Sequence, residues 1–425
     1  MILNKYLPLI IVLLLLGCGK NTVTNSNDYS KYLSEKADKS ALIANAQQWT
    51  DKLNENPNQY PYLGKRAAAY TTVFDATGDI DYLIKAEKDL KQAVEITKGK
   101  TTSYLKSLAS NYISQHRFKE ALELLKLAEE NGDKLTGTQK MLFDVHLELG
   151  NYLLAESYLK DFKNMSDFDY LIRLAKWEDH KGNLEGAIIN MEKAKTIAEA
   201  SNLKSMKQWS YTNLADFYGH AGEIEKSYNL YLKALALDPT DAYAKKGIAW
   251  ITFSYENNPI IAQNIIDSVK TYYTAPDYEL LIAEIAEYNE DESTKITAIG
   301  RYNDMVRDKN YGDMYNAYNV IMYTDEMLLP ERAIEIAELE VKNRPTPQSY
   351  DLLAWSYFKK GNIKKANAII EKHVEGQTFE PAVLYHIAEI YKAMGKKDQV
   401  SELKNELVAS LYELGPTMES KINQL

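Results

Sequence analysis

The residue types that most often do chemistry are present in this sequence but do not converge. Six histidines, His116, His146, His180, His220, His373 and His386, are scattered along the chain. None falls in a His-Glu-x-x-His pattern, which would put two ring nitrogens on one helical face for zinc. His386 has Glu389 three residues on, but no second ligand pair follows. Gly99-Lys100-Thr101 has the form of the end of a phosphate-cradling loop, yet Val94 stands where the earlier glycine is required. No Gly-x-Ser-x-Gly elbow presents a serine nucleophile. The run Glu290-Asp291-Glu292 lacks the ligand loop of a calcium site and reads as a solvated turn between helices. The expectation is a chain that is not an enzyme and holds no metal or cofactor.

Cys18 is the one remaining chemical handle, because it is the only cysteine. A lone thiol excludes an intramolecular disulfide framework and a zinc site built from several thiolates. Lys5 and an apolar run from Leu7 to Leu16 precede it. A basic end, a short apolar stretch and a small residue before the cleavage point make a secretory signal. Ten residues rise only about 15 Å as a helix, too short to cross a bilayer. Leu15-Leu16-Gly17-Cys18 resembles the lipobox of bacterial lipoproteins. That resemblance implies cleavage before Cys18, a diacylglyceryl group on its sulfur and a further acyl chain on the new amino group. Two or more acyl chains anchor a protein stably, at about 0.8 kcal/mol per buried CH₂. Gly19 follows, so the aspartate that marks inner-membrane retention in enteric bacteria is absent, and the expected address is the outer membrane of a bacterial cell envelope. Residues 1–17 are thus expected to be the signal peptide, 18–39 the lipidated cysteine with a polar tether, and 40–425 the folded body.

The elements that position side chains are set by a repeat. Tyr211, Leu214-Ala215, Tyr218, Gly222, Ile224, Ser227 and Tyr231 recur with the same spacing as Tyr350, Leu353-Ala354, Tyr357, Gly361, Ile363, Ala366 and Ile370. Further copies begin at Leu105, Leu142, Leu171 and Leu384, and weaker ones lie near 58–95, 241–272, 276–308 and 310–343. The period of about 34 residues resembles the tetratricopeptide repeat, and the resemblance covers roughly residues 40–415. It implies an all-α, right-handed superhelical solenoid of about ten antiparallel helix pairs. The physics agrees with that reading. Residues three and four apart share one helical face, and small residues such as Ala109, Ala121, Ala215 and Ala354 let helices approach closely. Ahead of the first copy, Leu42, Ala46, Trp49 and Leu53 predict a lone helix from about Ser40 to Glu55. The gap at 195–208 predicts longer helices or a loop, and the poorly matched 255–325 region a kink.

The chain is long, at 425 residues, but a solenoid grows by stacking and needs no division into compact domains. Its net charge of −10 argues against non-specific nucleic-acid binding. The 32 tyrosines against 9 phenylalanines first suggest a carbohydrate or peptide surface. Many, including Tyr112, Tyr211, Tyr218, Tyr231, Tyr350, Tyr357 and Tyr391, occupy framework positions and read as packing with the hydroxyl reaching a partner.

The first helix of each pair lines the concave face of such a solenoid. The projected lining includes Lys106, Ser110, Ile113, Lys140, Asp144, Ile172, Lys176, Trp209 and Asp216, then Trp355, Phe358 and Tyr385 near the end. Lys106, Lys140, Trp209, Asp216, Trp355, Phe358 and Tyr385 are the candidate partner-binding residues. Some tetratricopeptide proteins grip a chaperone's terminal carboxylate with paired lysines and asparagines. Ser110 and Asp144 replace the asparagines here, so that clamp is not supported. The expected function is a lipid-anchored envelope scaffold for a protein or peptide partner. The alternative is an outer-membrane glycan-capture lipoprotein similar to the starch-utilisation binders, against which the near-complete occupancy by repeats argues.

Overall fold

The computed structural model describes residues 22–425. Cys18 and the signal peptide lie outside the described residues. Two helices precede the repeats, α1 (Ser26–Leu33) and α2 (Lys39–Glu55). The second is the lone helix expected from the sequence. Ten helix pairs follow, each packed on the next, the seventh reaching the eighth through Tyr302, which donates to Asn319 Oδ1 and meets the Tyr315 ring. They are α3 (Pro61–Thr77) with α4 (Ile80–Ile96), α5 (Thr102–Ser114) with α6 (Phe118–Glu130), and α7 (Leu135–Glu148) with α8 (Tyr152–Asp161). Next come α9 (Phe168–His180) with α10 (Leu184–Ser201), α11 (Lys204–His220) with α12 (Ile224–Leu237), and α13 (Ala242–Trp250) with α14 (Pro259–Lys270). The last four are α15 (Asp277–Tyr288) with α16 (Glu292–Val306), α17 (Asn316–Ile321) with α18 (Pro330–Asn343), α19 (Pro347–Lys359) with α20 (Ile363–His373), and α21 (Pro381–Ala393) with α22 (Lys397–Ala409). Two short helices, α23 (Leu411–Leu414) and α24 (Met418–Asn423), finish the chain. The fold is an all-α solenoid.

The repeat residues do what their sizes require. Ala109, Ala121, Ala215 and Ala354 are fully buried where helices meet. Gly150, Gly182, Gly222, Gly361 and Gly395 take φ between 73° and 86° at the turn inside a pair, a region where a Cβ clashes. Of the framework tyrosines, all but Tyr350 are buried. Tyr211 donates to Glu199 at 2.9 Å, Tyr218 to Glu192 at 2.8 Å and Tyr357 to Glu338 at 3.2 Å, each reaching from a first helix to a carboxylate on the preceding pair's second helix. The tyrosine excess therefore belongs largely to packing. The long gap at 195–208 is made of longer helices, since α10 runs to Ser201 and α11 starts at Lys204.

The weak middle copies have a specific cause. After α13 the chain widens into a π-helical turn at Ile251–Tyr255, and after α17 into another at Met322–Glu326. Glu256 N–H reaches Ile251 O at 3.2 Å, and Met327 N–H reaches Met322 O at 2.9 Å. A π turn inserts one residue and shifts the phase of the pattern. Asn257 (φ 51°) and Leu328 (φ 54°) then take the left-handed position that glycine holds in six of the pairs, as His116 and Glu290 also do in two others.

Two features depart from the sequence reading. The stretch expected to be a tether up to residue 39 is folded onto the body from Val23 onward. Val23 N–H and Thr24 N–H both donate to Glu256 Oε1, at 2.8 and 2.6 Å, and Thr24 Oγ1 donates to Oε2 at 2.9 Å. Tyr29 of α1 is 2% exposed against α12 and α14, and Lys245 Nζ donates to Glu35 O at 2.8 Å. Low apolar content suggested a tether, but one buried tyrosine and a carboxylate capping two backbone N–H groups are enough to hold the segment.

The second departure is closure of the superhelix on itself. Thr274 N–H donates to Thr77 O at 2.8 Å, Asn310 Nδ2 to Asp81 Oδ1 at 2.9 Å, and Lys119 Nζ to Lys342 O at 2.6 Å. A Cβ on Gly182 would lie 2.7 Å from the Phe379 ring. Each pair of partners lies about 200 residues apart in sequence. About six helix pairs thus make one superhelical turn, and the second turn rests on the first.

Candidate functional site: a basic cavity on the inner face

Three successive first helices build one cavity. On α5, Lys106, Ser110 and Ile113 follow helical spacing and share a face. Asp144 and Glu148 do the same on α7, and Arg173 and Lys176 on α9. These side chains line a cavity of about 830 Å³, together with Lys134, His116, Phe118 and Met141. Arg344 closes it from the second superhelical turn, out of the loop after α18.

The charges inside are partly paired. Arg173 meets Asp144 Oδ2 through Nη2 at 2.6 Å and through Nε at 3.1 Å. Glu148 accepts from Lys176 at 2.9 Å and from Arg344 at 3.1 Å. Burial pushes the Glu148 carboxyl up, but Lys176 and Arg344 outweigh it and hold the group below its usual range. The Arg344 guanidinium also sits 5.3 Å from the Phe118 ring centre. Lys106 and Lys134 make no ion pair with any described residue. Burial and the neighbouring Lys134 hold the Lys106 ammonium below its usual pKa, with Asp133 acting the other way. Burial and then Arg344 hold the His116 pKa below its usual value, with Glu148 acting the other way. Five cations therefore face two carboxylates, in a chain whose net charge is −10. Such a cavity can hold an anion. Among the described residues no three His, Cys, Asp or Glu side chains gather to hold a metal.

The candidate residues from the sequence are dispersed by the structure. Lys106 lies in the cavity. Lys140 does not, because its ammonium pairs with Asp167 and, at 3.1 Å, with Asp169. Asp216 accepts from the Tyr231 and Tyr243 hydroxyls and serves the packing of α11 on α12 and α13. Trp209 is 41% exposed, edge-on to Phe168, and stays available. Trp355, expected as an exposed aromatic, is only 4% exposed. Its Nε1 donates to Asp325 at 3.0 Å, and its ring stacks on Phe358 at 5.2 Å and His386 at 4.1 Å. Tyr385 flanks the same cluster at 6.4 Å. Trp355, Phe358 and Tyr385 are thus brought together, but as packing between α19 and α21.

Sequence reasoning missed Arg173, Glu148, Lys134 and Arg344. Arg173 is one position from the projected Ile172 and was within reach of a wider stripe. Arg344 was not, because only closure of the superhelix brings it to α7.

Residues 210–241, most of α11 and all of α12, match the family model for the tetratricopeptide repeat. The chain carries a tetratricopeptide repeat. The other nine pairs follow the same helix-turn-helix plan as this tetratricopeptide unit. No curated protein matches the chain significantly. Among solved structures, a human IFIT1 dimer with PPP-AAAA is similar at 13% identity, over 77% of this chain and 76% of that one, with a TM-score of 0.45. A tetratricopeptide repeat protein from Parabacteroides merdae is similar at 17% identity, over 58% and 93%, with a TM-score of 0.39. Yeast Tom70 is similar at 15% identity, over 94% of both chains, with a TM-score of 0.36. Stacked tetratricopeptide pairs build extended concave surfaces, and binding of other proteins is the class of function such a scaffold suggests. Among the described residues no helix is long and apolar enough to cross a membrane.

Proposed function

We propose that this chain is a lipid-anchored scaffold of the bacterial cell envelope, with the outer membrane as its expected address, that binds a protein partner on its inner face. The anchoring half rests on the lipobox-like sequence at Cys18. The binding half rests on one observation: a cavity walled by α5, α7 and α9 holds two lysines, Lys106 and Lys134, that no described carboxylate neutralises. Leaving cations unpaired in a partly desolvated site costs stability, and a ligand carrying carboxylates recovers it. A partner segment rich in aspartate or glutamate fits that chemistry.

Both halves are open to test in intact cells. Cys18→Ser should move the protein from the membrane to the soluble fraction, and a mutant that stays membrane-bound after a high-salt wash refutes lipidation. Cross-linking followed by capture should recover a partner with the wild type and lose it with a Lys106→Gln, Lys134→Gln double variant. Unchanged capture would remove the cavity from the binding surface.

A further inference from the structure

If Cys18 carries the lipid anchor, only a few residues lie between it and the folded body. Val23 N–H is hydrogen-bonded to Glu256 Oε1 at 2.8 Å, and Thr24 and Asn25 are tied to Glu256 and Tyr228 in turn. Four residues lie between Cys18 and Val23, which makes five Cα–Cα steps. Fully extended they span at most about 18 Å, at 3.3–3.6 Å per residue. The tether of 22 residues suggested by the sequence would instead allow about 75 Å. Wherever the acyl chains of Cys18 enter a bilayer, Glu256 follows within that short radius.

The surface around Glu256 has the composition of a bilayer contact. Tyr255, next to it, is 41% exposed, and Ile260, at the start of α14, is 71% exposed. Tyr255 ends the π-helical turn after α13 and Ile260 lies in the first turn of α14, so the two flank the short connection between these helices. A tyrosine at the headgroup level with an isoleucine beside it suits the membrane interface. Glu419 lines the same edge with Tyr255, so lipid charge is not what attracts it.

We propose that the α13–α14 edge, presenting Tyr255 and Ile260, is the face of the solenoid held against the membrane. This rests on lipidation of Cys18. It fixes the body's orientation: the α13–α14 edge lies at the lipid, and the third pair, half a superhelical turn away, faces the aqueous side.

The acylated full chain contains no free thiol, so single cysteines can be placed at will. Ile260→Cys and Leu153→Cys, the latter an 86% exposed site on α8, each take a fluorescent label. The labelled proteins are bound to phosphatidylcholine vesicles carrying a spin-labelled lipid quencher. The Ile260 label should be quenched at least threefold more than the Leu153 label. Equal quenching of two vesicle-bound proteins overturns the orientation while leaving the anchor intact. Failure of the unlabelled wild type to bind vesicles refutes lipidation and the orientation with it. Glu256→Ala should release the N-terminal segment and bring quenching at Ile260 toward the Leu153 level. If quenching at Ile260 is unchanged in that variant, the short tether is not what holds the edge down.

Discussion

The Arg344 guanidinium and the Glu148 carboxylate meet at 3.1 Å across 196 residues of sequence. Both side chains are about a quarter exposed, so the pair is worth about 0.5–1 kcal/mol, not the larger figure of a sealed ion pair. Glu148 keeps Lys176 as a second partner when Arg344 is lost. A double-mutant cycle of Arg344→Met and Glu148→Gln, followed by urea unfolding, should return a coupling energy in that range. A coupling near zero would mean that the second superhelical turn does not lean on the first here.

A second relationship predicts how stability depends on pH. Gly415 (φ 87°) closes over Glu284 so tightly that a Cβ would lie 2.3 Å from its Oε1. Burial pushes the Glu284 carboxyl up to about 7, with Thr417 acting against it. The folded pKa is thus above the ordinary value of about 4.3, so the folded state holds a proton that the unfolded state gives up. The stability contributed is fully present below about pH 4 and is lost as pH rises to about 7. The effect amounts to at most about 4 kcal/mol. Glu284→Gln should flatten this slope and make the protein more stable than wild type at pH 8. Thermal melting between pH 5 and 8 checks it, and a slope unchanged in the variant rules Glu284 out as its source.

The two candidate tryptophans should behave oppositely. Trp355 is buried and hydrogen-bonded to Asp325, so Trp355→Ala should cost about 3–5 kcal/mol. Trp209 is well exposed, and Trp209→Ala should cost under about 1 kcal/mol. Denaturant midpoints of the purified variants decide this. Similar losses at both sites would contradict the burial described here.

These two residues also mark how far the sequence could be read. Both lie on first helices, seven positions apart in the repeat frame and so two turns along one helical face, and periodicity treats them alike. The difference comes from neighbours: Trp355 meets His386 from the next pair, whereas Trp209 meets only the edge of Phe168. The ten pairs, the lone helix α2 and the glycine turns were legible because each depends on contacts within about one repeat. Arg344 in the cavity, α1 on α12 and α14, and Gly415 over Glu284 were not legible. Each depends on partners brought together by the closed superhelix, which leaves no short-range trace in the sequence.

Leu328 offers a prediction from the irregular region. It holds φ 54° and is 71% exposed, so its side chain contributes little packing to offset the left-handed backbone. That conformation costs a residue other than glycine about 1–2 kcal/mol, part of which glycine returns through its own unfolded-state entropy. Leu328→Gly should therefore raise stability by up to about 1 kcal/mol, read as a higher urea midpoint with an unchanged slope. A fall in the midpoint would mean that glycine's unfolded-state entropy outweighs the backbone strain it relieves.

Repeats that touch only their neighbours can melt from either end, one pair at a time. The last residues of this chain do not permit that. Trp250 Nε1 and Ser254 Oγ both donate to Tyr412 O, at 3.0 and 2.6 Å, so the C-terminus is fastened to the middle of the solenoid. The segment around Tyr412 completes a contact with helices some 160 residues earlier in the chain. The solenoid thus has the mechanics of a latched coil, not of an open ribbon. A break at Tyr412 loosens the middle of the solenoid, and a polypeptide emerging from a ribosome or a translocation pore cannot set the latch until the residues around Tyr412 are free.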